Sequence, residues 1–591
     1  MLMIAGAESN KATNMARFVA GWLLCSAIAL FSQCAWAQEH GPTLQVRIDE
    51  LVAKRLTELR IVPANISSDA EFVRRLYLDL TGIIPTGEQA RKFLDDSTAD
   101  KRQKLIDQLL ASPEYAIHMA RVFDVMMIER RIPTIKSYDV PDGQWREYLT
   151  AAFEENRPWD RMVGDILGSD GGDQANAAGV KFYLVRDVAP HQIARDVGRL
   201  FLGVDLQCAQ CHDDPRIEPY RQADYFGIYA FLQRVTSFRD NEKKMSLVGE
   251  TAVGKTTFVS VFTTENGETN PRLPGGEMVP DPEVEKDKEY IVKPGPKDRG
   301  VPVYSRRMKL AELLPRAETR GFSRNIVNRL WALLMGRGLV HPLDLHHALN
   351  PPSHPELLEL LERWFVEHKQ DVRALLREMM LSQTYQRSSL RGIALQAVES
   401  DPGPDKLEVH PASTFAVAPL RALTPEQFSW SVLQATGRIE HQLNQRAATA
   451  QTEDSNFDDA LPVWKVRLKQ LEPLDRQARS MAAVFAGLPG QPDGDFQPVV
   501  DQALHLLNNP TMLTLIRDEP STLLKRLTTI SDAEPLAEEM YLSILSRRAF
   551  AEEIDQIREA LESNNSPDER GEALTALIWG LLLSSEFRLN H

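Results

Sequence analysis

The chain has 591 residues, 43% of them hydrophobic and 26% charged, with a formal net charge of −15. That length allows several domains and a large core with no metal or disulfide staple. The acidity excludes the basic face that non-specific nucleic-acid binding requires, and it disfavours docking on anionic lipid.

Lys11 and Arg17 precede an apolar run from Phe18 to Phe31, and Ala35-Trp36-Ala37 forms a small-x-small cleavage site before Gln38. This predicts an export signal over residues 1–37 and a periplasmic or otherwise exported mature chain. The run is shorter than the about 20 residues of a membrane span, so membrane attachment requires an uncleaved signal. Cleavage removes Cys25 and Cys34 and leaves Cys208 and Cys211 as the mature thiols.

Helical apolar spacing then runs through Leu44, Ile48, Val52, Leu56 and Leu59. Ser68 with Glu71, and Thr86 with Gln89, have capping-box spacing and predict helices to Leu80 and to about Leu94. Further helices are expected over 101–110, 114–130, 141–167 with a turn at Pro158, and 191–202, which Gly203 ends. Residues 224–235 read as an aromatic-rich helix carrying Tyr225, Phe226, Tyr229 and Phe231.

Residues 241–305 change character. Alternation from Thr257 to Phe262 and many Pro and Gly residues predict a small β insertion. Gly249, Gly254, Lys255 and Thr256 fit a phosphate-loop pattern. Such a loop must open a helix, whereas the residues that follow are β-branched and alternating, so the match is rejected and no nucleotide is expected.

Helices return over 321–334, 355–368, 371–383, 424–435, 462–485, 499–507, 510–527, 535–547, 551–563 and 570–588. Between them, His341, Asp344, His346, His347 and His354 crowd one loop. Their spacing matches no familiar metal site, and Ser353 before Pro355 reads as a helix cap. The expected fold is mainly α, with two helical domains joined by the small β insertion. The divisions are 1–37, 38–240, 241–305 and 306–591.

The chemistry-bearing stretch is Cys208-Ala-Gln-Cys211-His212. Two thiols on one tight turn can each form a thioether with a haem vinyl group, and the next residue offers an imidazole to the iron. Haem c is therefore the expected cofactor, with Cys208 and Cys211 as attachment points and His212 as proximal ligand. His191 and Met126 are candidate distal ligands, with Met119 and Met127 on the same predicted helix as Met126. Ligation on both faces means electron transfer; an open face allows oxidase or peroxidase-like chemistry. Two other readings stay open: a Cys208–Cys211 disulfide in a non-haem secreted scaffold, and a metal site lacking an evident fourth ligand.

Residues 44–237 resemble the planctomycete-type cytochrome-c-like family of unknown function. The resemblance rests on Arg74-Arg-Leu-Tyr-Leu-Asp79-Leu-Thr-Gly82, Arg199-Leu-Phe-Leu-Gly203 and Gln207-Cys-Ala-Gln-Cys-His212-Asp213. Residues 306–591 resemble the helical domain of unknown function that commonly follows it, through Asn325-Ile-Val-Asn-Arg-Leu-Trp331, Gly336-Arg-Gly-Leu-Val340, Asn350-Pro-Pro-Ser-His-Pro-Glu-Leu357, Ser382-Gln-Thr-Tyr-Gln386 and Ser584-Ser-Glu-Phe587. The resemblance implies an exported protein with a cytochrome-like motif. Relatives tend to sit beside genes for exported sulfatase-like proteins, which implies a link to sulfated polysaccharide, so the expected partner is a redox partner, from the haem reading, or an exported sulfatase-like protein. Relatives commonly read Cys-His-Asp-His-Pro; here Asp214 stands in place of the second histidine.

Overall fold

The computed structural model describes residues 42–591 except 135–141, 173–175, 215–216, 218–219, 243, 263, 265, 391–409, 451–460, 491–501, 503, 505–506, 508–509, 517–518 and 563–565. The export signal expected over residues 1–37 lies outside them, as does most of the helix expected over 499–507.

The fold is mainly α. The first half carries α1 (Leu44–Leu59), α2 (Asp69–Thr81), α3 (Gly87–Asp95), α4 (Lys101–Leu110), α5 (Pro113–Ile128), α6 (Asp142–Glu154), α7 (Trp159–Gly168), α8 (Lys181–Leu184), α9 (Pro190–Val197) and α10 (Gln222–Leu232). The β insertion follows as three separate antiparallel hairpins. They are β1 (Val235–Asp240) with β2 (Met245–Glu250), β3 (Thr256–Val259) with β4 (Asn266–Thr269), and β5 (Tyr290–Val292) with β6 (Val301–Pro302). Lys255 thus leads into a strand, not the helix that a phosphate loop needs.

The second half contains α11 (Arg306–Leu313), α12 (Arg320–Met335), α13 (Pro355–Glu367), α14 (Val372–Leu381) and α15 (Gln383–Gln386), then β7 (Arg421–Ala422) and α16 (Pro425–Ala435). It ends with α17 (Arg438–Ala450), α18 (Val463–Phe485), α19 (Pro510–Leu515), α20 (Leu523–Thr528), α21 (Ala533–Leu545), α22 (Ala551–Glu562), α23 (Pro567–Leu583), α24 (Ser585–Arg588) and β8 (Leu589–Asn590). The helix expected over 510–527 is two helices, with Pro520 in the break, because a proline has no amide to continue the ladder. The helix expected over 570–588 starts earlier, at Pro567 under a Ser566–Glu569 capping box, and is divided at Ser584, which caps α24.

Two apolar cores form. The first gathers side chains from Leu44 to Ala416, so α11–α15 pack with the N-terminal helices. The second gathers Leu423 to Phe587 and borrows Leu78 and Ile84. Helix α2 joins them: Phe72, Val73, Leu76 and Leu80 enter the first core, while Leu78 enters the second. Every residue of α2 from Glu71 to Thr81 is buried.

A helix buried on all sides must satisfy its charged side chains internally. Arg74 donates to the carbonyls of Ile544 (3.2 Å) and Phe587 (2.7 Å), at the C-terminal ends of α21 and α24. Arg75 donates to the carbonyls of Tyr385 (2.7 Å) and Arg387 (2.8 Å), where α15 ends, and to the Glu71 carboxylate (2.6 Å). Asp79 accepts from the Tyr385 hydroxyl (2.9 Å), Arg421 (2.8 Å) and Asn590 (2.8 Å). Ser68 caps α2 through the Glu71 amide, but the Glu71 carboxylate serves Arg75, Ser388 and Ser389, so the expected box is only half made.

Replacing Arg74 by Met will leave the carbonyls of Ile544 and Phe587 buried without a donor. We expect a loss of about 2–5 kcal/mol from the urea-unfolding free energy, with partial recovery in Arg74→Lys. A variant as stable as the parent would show that these helix ends do not need the guanidinium.

Candidate functional site

The segment entering the cysteine turn is held from both sides. Pro190 occupies the first turn of α9, and the helix widens into a π turn over Gly198–Leu202 before Gly203 stops it with φ +72°. A side chain at Gly203 would stand 2.7 Å from the His346 ring, so the turn requires glycine on both counts. Beyond it the chain pairs with the histidine-rich loop. The His346 amide donates to the Gly203 carbonyl (2.9 Å), the Asp205 amide donates to the Asp344 carbonyl (2.9 Å), and Val204 bridges Leu345.

Beneath this pairing lies a buried ion network. Arg199 meets Glu129 (2.6 Å), Asp196 (3.1 Å) and Asp344 (3.2 Å). Asp196 also takes Arg186 (2.7 Å) and Arg131 (3.0 Å), while Asp344 takes Arg329. Burial opposes the charge on Asp196, yet the arginines around it hold its pKa below the ordinary carboxylate value. Asn325, from α12, donates to the Leu200 carbonyl (2.6 Å).

Cys208–Gln210 then form one 3-10 turn, and both thiols are exposed and unbonded. His212 follows. Its Nδ1 is 2.7 Å from the Asp213 carbonyl oxygen. A carbonyl only accepts, so Nδ1 carries the proton and Nε2 presents a lone pair. The turn is tied to the β3–β4 hairpin: Val261 donates its amide to the Cys211 carbonyl (3.1 Å), and Gln222 donates to the carbonyls of Val259 (3.1 Å) and Gln210 (3.4 Å). Val259, Val261 and Phe262 are exposed there, Phe262 by 75%, and the Phe262 ring centre is 4.7 Å from that of His212.

His191 also reaches the turn. Its Nδ1 is 3.2 Å from the side-chain nitrogen of Gln210 and 2.7 Å from the Tyr225 hydroxyl. The amide nitrogen can only donate, so Nδ1 accepts and Nε2 bears the hydrogen. The ring stacks on Tyr229 at 4.3 Å, and its partial burial lowers its pKa. Of the aromatic residues of α10, Tyr225 and Tyr229 face His191 and Phe226 stacks on Phe258 at 4.7 Å. Phe231 is buried in the first core. Met126 is half-buried on α5, whose main neighbours are α2, α6 and α18, whereas the cysteine turn packs on α10. Met119 and Met127 are fully buried.

The histidines of the 341–354 loop diverge. His346 lies against Gly203 and Asn328, His347 stands edge-on to Tyr220 at 5.6 Å, and His354 is bonded to Ser353 (3.1 Å). Among the described residues, no group of three or more His, Cys, Asp or Glu side chains is placed to hold a metal ion. His354, not Ser353, occupies the cap position before Pro355, and its side chain makes no capping bond.

Sequence reasoning missed the pairing of 203–205 with 344–346. Its one signal was Asp344 within a histidine-rich loop, which invited a metal reading when its carboxylate serves Arg199 and Arg329.

The chain is thus a mainly α protein built around a buried arginine network, with a cysteine–cysteine–histidine turn on its surface. Residues 47–237 match PSCyt2, a protein of unknown function (DUF1549), and residues 306–561 match PSD1, a protein of unknown function (DUF1553). The chain belongs to the planctomycete-type family that carries this pair of domains. No curated protein and no solved structure matches it.

Burial pushes five histidines down from 6.5: His346 and His354 to about 4, His118 to about 3, and His191 and His591 in the same direction. Between about pH 6.5 and 4 the unfolded chain binds protons that the fold refuses. Stability should therefore be whole above about pH 6.5 and fall on acidification, with up to about 1.4 kcal/mol lost per histidine per pH unit. Urea midpoints measured across that window test this, and His354→Gln should flatten the slope. A midpoint unchanged down to about pH 5 would refute it.

Proposed function

We propose that this is an exported haem c protein that carries electrons for a process of the cell envelope. Cys208 and Cys211 would each hold the haem through one thioether bond, and His212 would offer its imidazole to the iron. The observation that carries the reading is the bond from His212 Nδ1 to the Asp213 carbonyl, 2.7 Å long, beside two exposed thiols on one turn. It orients the ring and leaves Nε2 free for iron, as a supporting shell should. The exposed Val259, Val261 and Phe262 offer apolar cover beside the thiols.

Haem, when bound, supplies one-electron chemistry at iron. The chain's own part is to hold and tune. Gln222 fixes the turn to the hairpin, and the Arg199 network fixes the segment before it. His191 accepts at Nδ1 from Gln210 beside the turn and carries its proton on Nε2, so it would become a distal ligand only after exchanging its tautomer. Met126 is the weaker distal candidate, because its helix packs away from the turn. Export follows from residues 1–37, and the partner is a redox protein or an exported sulfatase-like protein.

Expression with a haem-maturation system, followed by a visible spectrum of denatured protein, tests the proposal. The parent should keep its porphyrin through denaturation, and a Cys208→Ala, Cys211→Ala double variant should lose it while keeping its helical circular dichroism. Folded, exported parent without porphyrin, with its two cysteines in a disulfide, would replace this reading with a non-haem secreted scaffold.

A further inference from the structure

Where α5, α6, α16 and α18 meet, away from the cysteine turn, they leave a cleft of about 370 Å³. Arg121, Arg130, Arg131, Arg146, Lys181 and Arg479 line it. Asp124, Glu426 and Asp475 are the carboxylates there, so six basic side chains face three acidic ones in a chain that is acidic overall. Val125, Ile128, Ala478 and Ala482 provide apolar wall.

Those carboxylates are already engaged. Glu426 takes Arg130 through two guanidinium nitrogens (3.1 and 3.0 Å). Asp475 takes Arg146 (2.6 Å) and Arg479 (2.9 Å), and Asp124 accepts from Trp145 (2.7 Å). Arg121 is left over. Its guanidinium stacks on the Trp430 ring, 4.1 Å from the centroid, and makes no hydrogen bond or ion pair with any described residue. Burial draws its pKa down to about 10, against the pull of the nearby Asp475 and Glu426 carboxylates. The side chain is half-buried, so its five donors remain reachable from the cleft and open to a ligand's oxygens.

Arg121 and Trp430 also border a larger cavity of about 640 Å³. There four arginines meet four glutamates, so the excess positive charge belongs to the smaller cleft.

We propose that this cleft binds a small amphipathic anion, whose carboxylate or sulfate group sits on Arg121 and whose apolar body lies against Ile128, Ala478 and Ala482. Two oxygens of a carboxylate or a sulfate match the fork of a guanidinium, and the stacked Trp430 holds that fork in place. The volume suits a ligand of small-metabolite size. The site is independent of the haem reading.

Calorimetric titration of the full mature protein with octanoate, octyl sulfate and octanol tests the proposal. At least one of the two anions should bind saturably, and octanol should not. Preference between octanoate and octyl sulfate identifies the head group. Arg121→Gln should weaken the anion by about 10- to 100-fold, the worth of a charge-assisted bond. Ala483→Phe, at an exposed position on the cleft wall, should block it without touching the core. Absence of binding by both anions overturns the proposal, as does octanol binding as well as octanoate, or full affinity in either variant.

Discussion

The fold depends on arginines that close the ends of helices. The last carbonyls of a helix have no partner within it, and a helix that ends inside a protein cannot rely on water. Arg74 and Arg75 sit side by side on α2, the one helix shared by both cores. They point their guanidinium groups at the ends of α21, α24 and α15. One buried dipeptide thus fixes three elements that lie more than 300 residues away in sequence. The cations complement the negative ends of the helix dipoles, and the carbonyls solvate cations that water cannot reach.

A second arginine system does for the cysteine turn what the first does for the fold. Arg199 lies in the π turn that leads to Cys208, and it is locked to Glu129 from α5's end and to Asp344 from the histidine-rich loop. Arg329, from α12, reaches the same Asp344 and also the Arg199 carbonyl. The turn is therefore exposed at its tip and rigid at its base. That combination suits a covalent attachment point, which needs reachable thiols and a ligand ring that does not wander.

Much of this was legible in the sequence where local chemistry decides. The helix over 101–110 and the capping box at Thr86 follow from spacing, and the structure has them. The strand after Lys255 follows from alternation, and it disposed of a phosphate loop that the letters alone would allow. What could not be read was pairing at a distance. Nothing near Arg74 says that its partners are at Ile544 and Phe587, and nothing near Asp344 says that it serves Arg199. The division at residue 306 follows motif content, whereas packing draws α11–α15 into the N-terminal core. The charged cleft escaped for the same reason, since its walls come from helices more than 300 residues apart and only the folded chain reveals which arginine has no carboxylate.

These placements also say what kind of statement the family resemblance makes. Arg74, Arg75, Asp79, Arg199, Asn325, Arg329, Tyr385 and Phe587 all belong to the stretches that carry it, and all are spent on buried bonds that join one part of the chain to another. Such residues specify an architecture, because the bonds they make are to other parts of the chain. Reachable groups with unspent capacity among the described residues include the thiols of Cys208 and Cys211, Nε2 of His212, and the guanidinium of Arg121. Function must be sought where hydrogen-bonding and ligating capacity remains, so a family defined mainly by its bracing can keep one fold while the chemistry at its surface turn and its clefts changes from member to member.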